Sequence, residues 1–349
     1  MLCVVVLLPA AALAQRRLVI VDEDALEPAD SGEIAMLALL QSPGAQVLGI
    51  TIVTGDGWRD EAVQRTLRML ELTHHADVPL AAGAVFPLVR TQDETMLAAQ
   101  SYGRPVWLGA WGGTTGKPDH GPSDVPPLPE GTPALKPIDE DAAHFLVRQV
   151  RAHPGDITIY AAGPLTNIAL AIAIEPRFAE MTKGIVIMGS SLNPQTDDPE
   201  FANSPRSEFN FWFDPEAAHN VLRARWPRID VTTVDVSLKT KLTDDLVAEL
   251  SRSSASAAQY VAKYSKSRDY QWDEIAALAW LDPSLITKTR DVYMDVDVSH
   301  GASYGHTLTW DEAHRPSRDL PLVHAQLDLD VSRFRKLFVE LMTRGAPAR

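Results

Sequence analysis

"VIVDEDALEPADSGEIAML", residues 19–37, runs from an apolar, strand-like segment into a helical pattern. Between the two lie six carboxylates: Asp22, Glu23, Asp24, Glu27, Asp30 and Glu33. Like charges packed so closely repel and raise one another's pKa. A bound cation is the usual offset. Asp22 and Asp24 form a D-x-D at the strand end, and alternate residues of a strand share a face, so both carboxylates can converge on one point. Hard oxygen ligands in that arrangement suit Ca²⁺ or Mg²⁺. The competing reading is structural: acids gathered at a helix N-terminus, favourable through its dipole.

Other apolar runs follow at 46–55, 157–163, 184–190 and 230–236, with "RLVIVD" (17–22) as the first. Their apolar character is continuous rather than alternating, as in parallel strands covered on both faces. Helical patterns fall at 33–41, 58–74, 139–152, 165–174 and 214–225. Strand and helix in alternation predict an α/β fold, an open, mostly parallel, doubly wound sheet with a Rossmann-like core. Ligands in such sheets bind beyond the carboxyl ends of the strands. The tips to watch are therefore 22–30, 54–57, 162–166 and 189–193. Residues 112–138 are rich in Gly and Pro and read as a long loop, of the kind that is usually functional or disordered. Residues 193–210 read as a second active-site loop. "VYMDVDVS" and "PLVHAQLDLD" return to strand, and "VSRFRKLFVELMTR" ends the chain as a helix.

The 349 residues are 45% hydrophobic, enough for a large core, and the net charge is −14. That charge argues against nucleic acid as a partner and fits a small neutral or cationic ligand. "MLCVVVLLPAAALAQ" (1–15) reads as a secretory signal, residues 1–14, with Ala12-Leu13-Ala14 as its A-x-A site. The alternative is a buried first strand. The run is too short to span a bilayer. Removal of the signal takes away Cys3, the only cysteine, and leaves residues 15–349 as a single domain, secreted or periplasmic, with no membrane contact.

Later segments decide between chemistries. "GITIVTGD" (49–56), "YAAGPLTNIALAI" (160–172), "SEFNFWFDPEAA" (207–218) and "QWDEIAALAWLDPSLIT" (271–287) follow the acidic segment in that order. Together they resemble the inosine-uridine nucleoside hydrolase family from about residue 17 to about 342. A D-x-D after a first strand also resembles the haloacid-dehalogenase phosphatases, but Leu26 stands where those enzymes need Ser or Thr. The nucleoside hydrolase resemblance implies one Ca²⁺ at the carboxyl edge of the sheet. It implies Asp24 as ligand and general base, with the Ala162 carbonyl and Asp273 as further ligands. It implies Glu208 and Asn210 on ribose hydroxyls. Asp22, Asp56 and Asn193, at strand tips beside them, are expected to bind substrate as well; Trp212 and Trp272 are candidates for the base pocket.

Two departures from the family pattern stand out. The family's adjacent Asp pair would fall at Ser31-Gly32; Asp30 is the carboxylate expected to take its place, with Glu33 in reserve. The His that many members carry before the late Asp is Trp272, which cannot donate a proton at neutral pH. His120, in the long loop, reads either as a substitute acid or as a solvent-facing side chain. The expected function is Ca²⁺-dependent hydrolysis of ribonucleosides to base and ribose, by a dimer or tetramer. The alternatives are hydrolysis of another riboside, or a nucleoside- or sugar-binding protein that has lost turnover.

Overall fold

In the computed structural model, which describes residues 16–118, 120–266, 269–316 and 319–345, the apolar runs become the middle of one nine-stranded sheet. The proposed signal segment and Cys3 lie outside the described residues. The strands are β1 (Arg17–Glu23), β2 (Ala45–Ile52), β3 (Leu80–Ala82), β4 (Ile157–Ala161), β5 (Gly184–Met188), β6 (Ile229–Thr232), β7 (Ile286–Val296), β8 (Thr307–Trp310) and β9 (Leu322–Leu329). Their order is β3-β2-β1-β4-β5-β6-β9-β7-β8. Pairing is parallel from β3 through β9; β7 and β8 add antiparallel edges. The chain first winds outward from β1 to β2 and β3, then crosses back to lay β4 on the other side of β1. That reversal is the switch point at which doubly wound sheets bind ligands.

Alternation along β1 explains why its run is apolar throughout. Val19 and Val21 pack into the core on one face, Ile20 into the core on the other. Helices Ser31–Gln41 and Trp272–Leu281 lie side by side in the first core. Ser31–Gln41 is buried on all sides, consistent with its nearly uninterrupted apolar sequence. Arg17 ties the second helix to β1: its guanidinium donates to the carbonyls of Trp280 (2.7 Å) and Leu281 (2.9 Å) and lies over the Trp280 ring at 4.2 Å. The strand that leads to Asp24 and the helix that begins near Asp273 are thereby locked together.

The run at 230–236 is strand only as far as Thr232; Val234–Ser237 is a short helix whose first backbone N–H bonds back to the Ser190 carbonyl. Residues 112–138 contain no helix or strand among the described residues. The loop at 193–210 holds a short helix, Pro199–Asn203. No helix of the described residues is long and apolar enough to cross a membrane.

Hydrogen bonds from a charged donor to buried carbonyls contribute about 1.5–3 kcal/mol. Arg17→Ala should therefore lower unfolding free energy by about 2 kcal/mol, read as an earlier urea midpoint at unchanged slope. An unmoved midpoint would show that the strand and helix need no such tie.

Candidate active site

A cavity of about 660 Å³ opens beyond the carboxyl ends of β1, β4 and β5. Among the described residues lining it are ten carboxylates and a single basic side chain, Lys266. Asp24, Asp30, Asp56, Glu208 and Asp273 belong to this lining, as do Ala162, Asn210 and Trp272.

Asp24 follows the last residue of β1 and is held by its neighbours. The Asp56 backbone N–H donates to its Oδ2 at 2.8 Å. Gly55 has no side chain for a reason: a Cβ there would stand 1.9 Å from that same oxygen. Burial and the charges of Asp56, Asp273 and Asp30 push Asp24 well above the ordinary carboxylate range. Burial, then Glu274, Asp56 and Asp30, do the same to Asp273. Asp56 is pushed up to about 7 by burial, and its Oδ1 accepts the Trp107 indole N–H at 2.5 Å.

The "GPLTN" and "EFN" segments meet at one carbonyl. The Asn210 amide donates to the Ala162 carbonyl (2.9 Å) and to the Met188 carbonyl (3.1 Å). A carbonyl oxygen has two lone pairs, so Ala162 retains one. Glu208 caps the helix Phe209–Phe213: Oε1 accepts from Asn210 N, and Oε2 from Phe211 N and from Ser190 N. Ser190 sits at φ 70°, a left-handed conformation unusual for a side chain other than glycine, at the turn after β5. Burial pushes Glu208 up to about 7.

Helix Trp272–Leu281 presents its first turn to that of Ser31–Gln41. Ser31 Oγ accepts from Asp273 N (3.0 Å) and donates to Glu274 Oε2 (2.6 Å). Trp272 packs on Phe201 and Tyr270, with ring centroids 5.7 and 5.1 Å away, so three aromatic rings line one side of the cavity. Glu200 lines it as well and is pushed up to about 7 by burial and by Asp198.

Other expected site residues lie elsewhere. β1 ends at Glu23, so its alternation does not carry Asp22 and Asp24 to one point. Asp22 is fully buried beneath the cavity, where Thr51 Oγ1 and Asn167 Nδ2 donate to its Oδ1. Asn193 is exposed and outside the lining; its N–H bonds Asp235. Trp212 is buried in a separate aromatic cluster with Trp111 and Phe213, and the Arg90 guanidinium lies 4.6 Å above its ring. His120 points to Glu61, with Nε2 2.9 Å from its carboxylate, and no His lines the cavity among the described residues. Asp30 lines the cavity but caps Ser31–Gln41: Leu26 N and Glu27 N donate to Oδ2, and Glu33 N donates to Oδ1. Glu33 is turned away, accepting from Ala29 N and the Tyr260 hydroxyl.

Sequence reasoning assigned no role to Glu23, Glu200, Glu274, Phe201 or Trp107. Glu23 and Glu274 adjoin candidate aspartates, and the signal that marks them is an acid in apolar surroundings. Trp107 and Phe201 lie in irregular stretches, where no periodicity points inward.

Among the described residues no three His, Cys, Asp or Glu side chains are already drawn together to hold a metal ion. The donor chemistry nonetheless fits a hard cation. Every candidate ligand is an oxygen, the lining is strongly anionic, and both Glu23 carboxylate oxygens are buried with no hydrogen-bond partner.

Residues 19–336 match the sequence profile of inosine-uridine preferring nucleoside hydrolase, and the chain belongs to that family. It is a hydrolase acting on N-glycosyl compounds. A probable uridine nucleosidase 2 of Arabidopsis thaliana is 29% identical, covering 94% of this chain and 98% of the relative. A pyrimidine-specific ribonucleoside hydrolase RihB of Shigella flexneri is 27% identical, covering 84% of this chain and 87% of the relative. Among solved structures, a plant nucleoside hydrolase superposes with a TM-score of 0.74 at 24% identity, covering 95% of this chain and all of that one. A purine-preferring ribonucleoside hydrolase from Gardnerella vaginalis gives 0.72 at 22%, covering 94% and 98%. At those identities the superpositions establish the fold.

The raised carboxyls give the fold a signed pH dependence. Asp22 and Glu208 are held at about 7, Glu33 and Glu274 at about 8, each mainly by burial. A carboxyl whose folded value exceeds its unfolded one binds its proton more tightly in the native chain. Its contribution is greatest below the ordinary carboxylate range and is lost as pH rises through 7–8. In excess EDTA the melting temperature should fall by several degrees from about pH 5.5 to about pH 8.5. A rise over that interval would contradict the assignment.

Proposed function

We propose that this chain hydrolyses the N-glycosidic bond of ribonucleosides, with a divalent cation, Ca²⁺ by its ligand chemistry, at the β1/β4 switch point. The observation that carries the reading is the lining itself: among the described residues, ten carboxylates against one lysine, gathered where the sheet reverses, in a chain of this family. Asp24, Asp273 and the Ala162 carbonyl are the groups on which the cation would rest. When bound, it supplies positive charge that offsets the crowded acids and favours ionisation of water.

The chain's own residues supply the rest. Asp24, oriented by the Asp56 N–H, accepts the proton of the attacking water. The water oxygen forms the new bond to C1′ as the bond from C1′ to the base nitrogen breaks, and the electron pair leaves with the base. Positive charge grows on the ribose ring in that transition state, and the surrounding carboxylates stabilise it. Glu208 and Asn210 bind ribose hydroxyls. Trp272, with Phe201 and Tyr270, offers aromatic faces for the base. Uridine is the first substrate to try, because named relatives include uridine nucleosidases and pyrimidine-specific hydrolases. The apolar leader at 1–14 supports export to the periplasm or beyond the cell, and the family resemblance supports a dimer or tetramer.

Asp24→Asn keeps the shape of the side chain and removes the base. Release of reducing sugar from uridine or inosine should fall about 10²–10⁴-fold in kcat, with the circular dichroism spectrum unchanged. A variant of full activity would remove Asp24 from the mechanism. Nucleoside binding without any sugar release by the wild type would identify a binding protein instead.

A further inference from the structure

We infer that Glu23, rather than Asp30, completes the carboxylate set around the cation with Asp24 and Asp273, and that Gly32 lacks a side chain to give it room. The inference rests on the reading of the cavity as cation-dependent.

Asp30 is engaged by local structure on both oxygens. Its two oxygens receive three backbone N–H groups, from Leu26 at 2.6 Å, Glu27 at 2.9 Å and Glu33 at 2.9 Å. Those bonds close the turn after β1 and cap the helix that follows. Drawing this carboxylate onto a cation would compete with both.

Glu23 is in the opposite condition. It is fully buried, and among the described residues it is the one carboxylate with both oxygens shut off from solvent and neither hydrogen-bonded. An ionised carboxylate is not sustained in that state without a positive partner. Glu274 and Glu33 are each already bonded, the first by Ser31 and the second by Tyr260 and Ala29.

Its direction is fixed by parity and by contact. Glu23 shares the face of Val19 and Val21, toward the two helices whose first turns carry Ser31 and Asp273. Its Oε2 lies 2.7 Å, and its Cδ 3.3 Å, from where a Cβ on Gly32 would stand. Gly32 is part of the cavity lining and Glu23 is not, so the Glu23 carboxylate lies directly behind the lining, in the space that a side chain at 32 would fill. In effect, a carboxylate that could project from the helix at position 32 is delivered from the strand at position 23.

The purified protein, stripped with EDTA and dialysed at neutral pH, is titrated with Ca²⁺ by calorimetry, and its melting temperature is read with and without the ion. Wild type should bind one Ca²⁺ and melt higher with it. Glu23→Gln should bind at least 30-fold more weakly, yet melt no lower than wild type in EDTA, since no hydrogen bond is lost. Asp30→Asn, which preserves a capping side chain, should stay within about threefold of wild type. Glu23→Ala combined with Gly32→Asp returns a carboxylate to the same space from the helix side and should recover most of the lost affinity. A Glu23→Gln protein that binds Ca²⁺ as wild type does overturns the assignment and leaves the cation reading standing. A wild type that binds neither Ca²⁺ nor Mg²⁺ overturns both.

Discussion

Repulsion among carboxylates at the floor of one cavity is the constraint around which this molecule is arranged. Burial raises the proton affinity of Glu23, Asp24 and Asp273, and the charges of Asp24, Asp273 and Asp56 add to it. Left alone, such a group of acids favours protonation or local opening. The fold instead pins it from several directions. β1 delivers Glu23 and Asp24, helix Trp272–Leu281 delivers Asp273, and Arg17 joins that helix to β1. A positive group, whether a cation or the charge that develops on a ribose ring, would offset that repulsion.

Two levels of organisation support the cavity. Asn210 bridges the Ala162 carbonyl just past β4 and the Met188 carbonyl that ends β5, and Glu208 fixes the turn after β5 through Ser190. These bonds set the Ala162 carbonyl and the EFN helix as one unit. Asp22, Thr51 and Asn167 form a further layer beneath, and Asn167 also accepts from Ala84 N, tying β1 to the segment after β3. Asp22 thus acts on the site by holding its base together.

The fold was legible because parallel strands buried on both faces leave long apolar runs, and all five expected runs contain a strand. β3 and β8 were not anticipated: three or four residues are too short to show a period. Motif order brought out Asp24, Asp56, Ala162, Glu208, Asn210, Trp272 and Asp273, which the folded chain gathers around one cavity. The failures have physical causes. A D-x-D pattern places two acids on one face only while the strand continues, and β1 stops between them. Asp30 lines the cavity as expected and also caps a helix, because a helix cap and a metal ligand draw on the same residue type. Trp212 and Asn193 depend on contacts across the fold, with Arg90 and Asp235, which no local pattern encodes.

On the inferred assignment of Glu23, the site keeps its charge while moving its sources. Ser31 and Gly32 occupy the start of the helix where acids would otherwise project, and carboxylates at 23 and 274 crowd into the space around them. The most direct test is a crystal structure grown with Ca²⁺ and a ribose-containing ligand. The account predicts one ion with Asp24, Asp273, Glu23 and the Ala162 carbonyl all at about 2.3–2.6 Å, and sugar hydroxyls beside them in its shell. An ion-free cavity, or an ion that Asp24 and Asp273 do not share, would contradict it.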